Sequence, residues 1–177
     1  YNIKIAERSG IAIRTVLSPR DPGFLSFWNI LRETARRQRF FLHQLEYYQK
    51  LLEVRTDNFS NEIFIAEYKG NAAAAAMVNF YRPSGVTTYI HGASSHRDRA
   101  VMAPHLLHWR IIQEAKRRGF LRYDFGGIDP ARWPGVTRFK ERFGGRRSQY
   151  PPTIDIVYRP FWYRMYRLKR YFFKRGT

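Results

Sequence analysis

Residues 122–145, RYDFGGIDPARWPGVTRFKERFGG, place two double glycines, aromatic rings and several bases close to Lys140. Lys140 stands between Phe139 and Phe143, and two buried aromatic rings would hold its ammonium group in place. A positioned cation can stabilise negative charge that develops during a reaction. Lys140 is therefore a candidate catalytic residue. The alternative is that it is one base among several in a solvated segment.

Asp124 is the acidic residue of the same region. It ends an apolar run and is followed by Gly126 and Gly127, which allow close backbone approach or a positive φ. A carboxylate at this place can act as a base or cap the amides of the following loop. We take Asp124 as a candidate substrate contact, with capping as the alternative.

The charge of the chain indicates an anionic partner. Thirty-two Lys and Arg against fourteen Asp and Glu give a formal charge of +18 over 177 residues. Such a field attracts nucleic acid, anionic lipid or phosphorylated small molecules, and charge alone does not choose among them. A merely soluble basic surface is the alternative.

Composition narrows the chemistry further. The hydrophobic fraction of 44% suits one globular domain, and no stretch has the length of an apolar membrane span. The chain has no cysteine, which excludes disulfides and thiolate chemistry. Only His105 and His108 approach the spacing of a helical metal motif, and we expect no metal.

Hydrophobic periodicity predicts alternating helices and strands. Helices are expected within residues 18–41, 43–54 and 103–119, and strands at 11–16, 62–68, 86–92, 120–125 and 153–158. The run AAAAAMVNFYR, residues 72–82, favours a helix by propensity. It lies between two turn signals and two strand-like runs, so we predict the middle strand of an antiparallel meander. The expected class is α/β (α+β), with a mostly antiparallel sheet flanked by helices.

Several of these segments resemble the Fem-type (FemABX) peptidyltransferases, which have the acetyltransferase-like (GNAT) fold. The most specific pieces are YDFGGI and RFKERFGG at their present spacing, preceded by YIHGASS and MAPHLLHWRIIQEAKRRG. The resemblance covers nearly the whole chain. It implies transfer of an aminoacyl group from aminoacyl-tRNA to the stem peptide of lipid II or its UDP-linked precursor, with no further cofactor.

The resemblance also implies roles for individual residues. The pair Phe139 and Lys140 matches a Phe-Lys pair at the acyl-acceptor site, where the lysine stabilises the tetrahedral intermediate. HQLEYY matches a stretch in which an arginine and a tyrosine hold the precursor. His43 replaces that arginine, and Tyr47 keeps the tyrosine. A histidine is only partly charged near neutral pH, so the phosphate contact is expected to be weaker or pH-dependent.

Further candidates complete the expected site. Tyr89 and His91 lie near another substrate tyrosine of the family, with ordinary sheet residues as the alternative. Arg97 and Arg138 are additional candidate contacts for an anionic substrate. The segment HRDRAVMAP stands where an acetyl-CoA enzyme has a glycine-rich pyrophosphate turn, and it contains no glycine. The runner-up function is nonetheless an acyl-CoA-dependent N-acyltransferase, and the third is a non-catalytic half domain that binds RNA or membrane.

Family members usually have two GNAT-like domains, and residues 1–177 resemble the second one alone. A preceding domain or a partner chain is therefore expected. Residues 160–175 are predicted to form a basic amphipathic helix, with Phe161, Met165 and Leu168 on one stripe. This stripe suits peripheral contact with anionic lipid, although it may instead cover the domain's own sheet or present its basic side to tRNA. The expected location is cytoplasmic, at the inner face of the membrane.

Overall fold

The computed structural model describes residues 1–152 and 154–174. These residues form two compact units, Tyr1–Thr137 and a second unit that begins at Arg138. The expectation of one domain over residues 1–177 stays a prediction.

The helices and strands follow one another as the periodicity predicts over most of the chain. The helices are α1 (Asn2–Arg8), α2 (Pro22–Gln38), α3 (Leu45–Glu53), α4 (Ala103–Arg117), α5 (Pro134–Glu141) and α6 (Pro160–Lys174). The strands are β1 (Ala12–Val16), β2 (Arg55–Thr56), β3 (Phe59–Tyr68), β4 (Asn71–Tyr81), β5 (Val86–Ser94) and β6 (Arg122–Asp124).

The strands form one six-stranded sheet with the order β1-β3-β4-β5-β6, and β2 pairs with β3. The pairs β1–β3, β3–β4 and β4–β5 are antiparallel, whereas β5 and β6 are parallel. The parallel pair is joined through α4, because two neighbouring parallel strands need a crossover connection. The predicted fold class, a mostly antiparallel α/β sheet flanked by helices, is confirmed.

The alanine run forms the central strand β4, as predicted against its helix propensity. Ala74, Ala75 and Ala76 are almost completely buried because both faces of this strand are covered. Pairing with β3 on one side and β5 on the other satisfies the backbone. Small side chains here let helices approach the sheet closely from both faces.

Each face of the sheet has its own apolar cluster. The α2 face packs β-strand residues against α2 and α3, and includes Phe27, Leu31, Tyr48, Leu52, Ile63, Ile65 and Met77. The α4 face packs strand residues against α4, and includes Phe64, Val78, Phe80, Leu107, Ile111 and Phe120.

A partly buried ion-pair network joins α4 to β3. Arg118 donates to both carboxylate oxygens of Glu62 at 2.7 and 3.0 Å, and Glu62 is only 5% exposed. The guanidinium also lies over the ring of Phe80, 4.6 Å from its centroid. A buried carboxylate requires such a partner, because charge removed from water without compensation is costly.

One predicted element is wrong. Residues 154–158 form no strand, and residue 153 lies outside the described residues. Ile154, Ile156 and Tyr158 are 86%, 77% and 88% exposed. Alternating apolar residues form a strand only when a neighbouring strand pairs with them, and none of the described strands pairs with this segment. Among the described helices, none combines the length and the apolar character needed to cross a bilayer.

Candidate functional site

The candidate site begins where β5 and β6 separate. Their parallel pairing joins Val86–Thr88 to Arg122–Asp124, and β5 then continues to Ser94 paired with β4 but no longer with β6. Ligands of α/β sheets bind at such places, where the carboxyl end of one strand lies beside a neighbour that takes a different course.

A β-bulge lies on β5 directly after this point. Met77 of β4 is opposite His91, and Val78 is opposite Tyr89, so Ile90 is the extra residue. Residues two apart on a regular strand share a face, and an inserted residue breaks that alternation. The bulge therefore places Tyr89 on the α4 face and His91 on the α2 face. These two candidates, expected together, lie on opposite sides of the sheet.

On the α2 face the structure brings together three of the predicted residues. The rings of His43 and Tyr47 are stacked with their centroids 4.1 Å apart, and Tyr47 is 6.4 Å from His91. His91 also meets the buried ring of Tyr48 edge-on at 5.1 Å. His43 and Tyr47 are exposed to solvent, so this cluster, called here the His43 cluster, opens to the surface.

Burial disfavours the charged form of His91. Its pKa is lowered from the ordinary value near 6.5, chiefly by desolvation and also by the neighbouring imidazole of His43. The Nε2 atom of His91 is buried and has no hydrogen-bond partner in the protein. Buried polar atoms in native proteins are almost always paired, so an orphan of this kind marks a place where a ligand or water supplies the missing bond.

On the α4 face, Tyr89 is enclosed beside the bulge. Its ring meets His108 edge-on at 4.6 Å, and its hydroxyl lies over Gly92. A Cβ atom at Gly92 would stand 1.5 Å from the Tyr89 hydroxyl oxygen. Desolvation raises the pKa of Tyr89 to about 12, so its hydroxyl is protonated at neutral pH. Glycine at position 92 is required for this placement.

His108 connects this ring to β6. Its Nδ1 lies 2.8 Å from the hydroxyl of Tyr123, and its ring is 3% exposed. Burial strongly raises the pKa of Tyr123, with smaller contributions from Tyr89 and Asp124. Tyr89 of β5, His108 of α4 and Tyr123 of β6 thus form a buried polar group on the α4 face.

Asp124 takes part in the turn that follows β6. Its Oδ1 accepts a hydrogen bond of 2.7 Å from the amide of Gly126, whose φ is +70°. This is the loop-capping arrangement considered as the alternative to a base.

The loop between β5 and α4 is organised by an acid. Asp98 accepts from the Ser95 hydroxyl at 3.1 Å and pairs with Arg97 at 3.1 Å. The side chain of Arg97 is 71% exposed, and its charge is already partly balanced. Because Arg97 is engaged by Asp98, its charge is not fully available to a pyrophosphate at this loop, which also lacks the glycine of an acetyl-CoA enzyme.

The solvent face of α2 carries a basic and aromatic surface. Two open grooves of about 520 and 480 Å³ share Arg32 and Arg36. Arg39 and Phe41 line the second groove, and Phe41 is fully exposed. We call this surface the α2 groove. At the same end of the helix, Arg37 donates to the carbonyl of Ser94, the last residue of β5, at 2.9 Å.

Three further candidates lie in the second unit. Arg138, Phe139 and Lys140 belong to the last turns of α5. The rings of Phe139 and Phe143 pack edge-on at 5.5 Å, and Lys140 is half-buried, as are its neighbours Phe139 and Glu141. Arg138 is exposed. The aromatic contact expected beside Lys140 is present within this unit.

Sequence reasoning missed the roles of His108, Tyr123 and Gly92. His108 was considered only as a metal ligand, but its Nδ1 contacts Tyr123 and the Nε2 of His105 contacts Asn2 at 3.1 Å. The sequence offered one signal, Gly92 in the segment YIHG, because a glycine within a strand often marks a place where other atoms come close to the backbone.

The family is shown by comparison with known protein families. A family model described as the FemAB family matches residues 1–66 and 55–170. The chain belongs to the FemAB family. No curated protein sequence matches it significantly.

Solved structures confirm the GNAT-like fold of this FemAB member. The chain is similar to an aminoglycoside acetyltransferase from an uncultured soil metagenomic sample, with a TM-score of 0.60 and 16% identity over 84% of this chain and 97% of the other. It is similar to FemX, with a TM-score of 0.60 and 15% identity over 72% of this chain and 47% of FemX.

A third similar structure is the C-terminal domain of a putative lysylphosphatidylglycerol synthetase from Agrobacterium fabrum. The TM-score is 0.56, with 14% identity over 81% of this chain and 45% of the other. This chain thus spans about half the length of FemX and of the synthetase structure. Family and fold together support acyl or aminoacyl transfer as its activity.

Proposed function

We propose that this FemAB member transfers an aminoacyl group from aminoacyl-tRNA to an amine on the stem peptide of a peptidoglycan precursor. The observation that carries the proposal is the family match over residues 1–66 and 55–170. In the reaction, the amine attacks the ester carbonyl and a tetrahedral oxyanion forms. The ester C–O bond then breaks, an amide remains, and the amine proton leaves with the ribose hydroxyl. No further cofactor is needed.

The His43 cluster is the proposed contact for the phosphate-bearing precursor. His43 and Tyr47 are stacked and open to solvent, and the buried Nε2 of His91 lies beneath them without a protein partner. A protonated His43 would donate to a phosphate oxygen, and a hydrogen bond to a charged group contributes about 1.5 to 3 kcal/mol. Because histidine contacts with phosphate need the charged imidazole, binding of the precursor is proposed to be weaker at higher pH.

Lys140 is the proposed oxyanion donor, supported by the resemblance of Phe139 and Lys140 to the family's Phe-Lys pair. Such a group acts only if it is held rigidly, because its hydrogen bond must be in place as charge develops. The contact between Phe139 and Phe143 stiffens the helix turn that carries it. Asp124, Arg97 and Arg138 are proposed as secondary substrate contacts, and Tyr89 as support for the bulge.

The α2 groove is the proposed contact for the tRNA donor. Arg32, Arg36 and Arg39 can neutralise phosphates, and the exposed ring of Phe41 can stack on an unpaired base. Binding through phosphates is strongly salt-dependent. Tight tRNA binding that does not weaken between 50 and 200 mM salt would contradict this part of the proposal.

Binding of a soluble UDP-linked muropeptide, measured by calorimetry from pH 5.5 to 8, tests the acceptor site. The proposal predicts weaker binding at higher pH for the wild type and nearly pH-independent, tighter binding for His43→Arg. Tyr47→Phe is the matched variant, which keeps the ring and the charge and should preserve the pH dependence. Equal pH dependence in the wild type and His43→Arg would remove His43 from the site.

The second candidate function is an acyl-CoA-dependent N-acyltransferase, favoured by the acetyltransferases of the same fold. Asp98 and the absence of glycine in the loop before α4 speak against it. A thermal shift with acetyl-CoA, and none with the UDP-linked muropeptide, would reverse this order.

A further inference from the structure

The second unit carries an exposed apolar surface that the proposed chemistry does not use. On α6, Phe161, Trp162, Met165 and Leu168 are 68%, 63%, 49% and 52% exposed. Their spacing places Phe161, Met165 and Leu168 on one side of the helix, with Trp162 beside them. Large apolar side chains exposed in a row on one helix mark an interaction surface.

The opposite side of α6 is basic. Arg167 and Arg170 lie opposite the apolar stripe, and Arg164 lies at its edge, four residues before Leu168. No acidic residue occurs from Phe161 to the end of the sequence. Tyr163, also on the polar side, donates to the carboxylate of Asp155, which ties α6 to the segment before it. The helix therefore has an apolar side, a cationic side and a fixed connection to residues 154–158.

We propose that α6 docks in the plane of an anionic lipid surface, with its apolar stripe in the acyl boundary and its cations among the headgroups. Helices with a basic face and a Trp- and Phe-containing apolar face bind at this depth. The apolar side chains that would enter the boundary are Phe161, Met165 and Leu168, with Trp162 beside them.

Charge and composition favour lipid over the other occupants. An RNA partner would use the cations but gain little from an exposed Met165 and Leu168. A protein partner or a second copy would bury the stripe but leave Arg167 and Arg170, on the other side, unmatched. An anionic headgroup layer with an apolar interior beneath it satisfies both sides of the helix at once. This proposal is independent of the proposed acceptor and donor.

The test is flotation with vesicles of phosphatidylcholine containing 30% phosphatidylglycerol, compared with pure phosphatidylcholine. The full chain should float with the anionic vesicles. Met165→Gln/Leu168→Gln removes apolar area at constant charge, and Arg167→Gln/Arg170→Gln removes two charges at constant apolar area. Each cation near an anionic surface is worth roughly a factor of five in affinity, so the arginine pair should weaken binding about 30-fold. The Met165/Leu168 pair should weaken it at least tenfold, and both should keep the wild-type melting temperature.

Insertion of the stripe has its own signal. The emission of Trp162 should shift to shorter wavelength with anionic vesicles, and the shift should vanish in Trp162→Phe, which leaves the other three tryptophans in place. No flotation of the well-folded wild type at low salt overturns the proposal. The proposal is also overturned if Arg167→Gln/Arg170→Gln reduces flotation and Met165→Gln/Leu168→Gln does not, because binding would then depend on surface charge alone. A wild-type dimer that Met165→Gln/Leu168→Gln converts to monomer, without vesicle binding, would assign the stripe to a second copy instead.

Discussion

Gly92 should tolerate no larger residue, because the Tyr89 side chain occupies the space beside it. A Cβ atom at position 92 would lie 1.5 Å from the hydroxyl oxygen, 2.4 Å from Cζ and 2.7 Å from Cε2 of Tyr89. To reach ordinary contact at 3.4 Å, the ring must withdraw by about 2 Å. His108 stands against the same ring at 4.6 Å and limits that movement.

The expected cost of Gly92→Ala is that of overpacking a filled core, about 1 to 3 kcal/mol in the free energy of unfolding. For a chain of this size, each kcal/mol lowers the melting temperature by roughly 2 to 4 °C. Thermal unfolding followed by circular dichroism should therefore show a loss of about 2 to 12 °C. The near-ultraviolet signal should also change, because Tyr89 has moved.

A double-mutant cycle isolates the contact. Tyr89→Leu removes the three atoms that a Cβ would meet, so Gly92→Ala should cost less than about 0.5 kcal/mol in that background. Gly135→Ala is the control, since no atom lies within 4 Å of a Cβ there. It should cause no loss of stability. The reasoning fails if Gly92→Ala melts within 1 °C of the wild type, or if it costs the same with Tyr89→Leu present.

Three further outcomes are expected. Lys140→Ala should lower the transfer rate roughly 10²- to 10³-fold while the melting temperature is unchanged. A steady-state rate within a few-fold of that of the wild type would show that Lys140 has no part in the mechanism. Because burial and His43 lower the pKa of His91, the unfolded chain binds its proton more readily, so the free energy of unfolding should fall as pH drops below about 6.5. Urea titrations should show this slope reduced in His91→Phe, and an identical slope would contradict the assignment. Arg118→Ala should lower the free energy of unfolding by about 3 kcal/mol, because Glu62 stays buried without its main partner. Arg117→Ala is the control: this arginine belongs to an exposed ion pair, and the same titrations should show a loss of less than about 1 kcal/mol.

The sequence predicted the meander because turn chemistry and flanking strands outweighed the helix propensity of alanine. It did not reveal that residues 154–158 lack a strand partner. The alternation of apolar and polar residues indicates which side chains could share a face, but not whether another strand is present to pair with the segment. The family resemblance identified His43 and Tyr47, and their contact with each other is present.

The position of Tyr89 was beyond sequence reasoning for a different reason. One inserted residue, Ile90, reverses the face of everything before it on β5, and a bulge has no fixed signature in residue types. The packing of Tyr89 over Gly92 follows from that reversal, and the contact of His108 with Tyr123 joins α4 to β6. Both join residues that only the folded sheet brings together.

The most direct test of the central claim is a multiple-turnover transfer assay. The protein would be given a mixture of tRNA charged with radiolabelled amino acids and the UDP-linked muropeptide, with acetyl-CoA as the competing donor. The account predicts label in the muropeptide over many turnovers, lost with Lys140→Ala and unaffected by acetyl-CoA. Acetylation of an amine from acetyl-CoA, with no transfer from any charged tRNA, would contradict it.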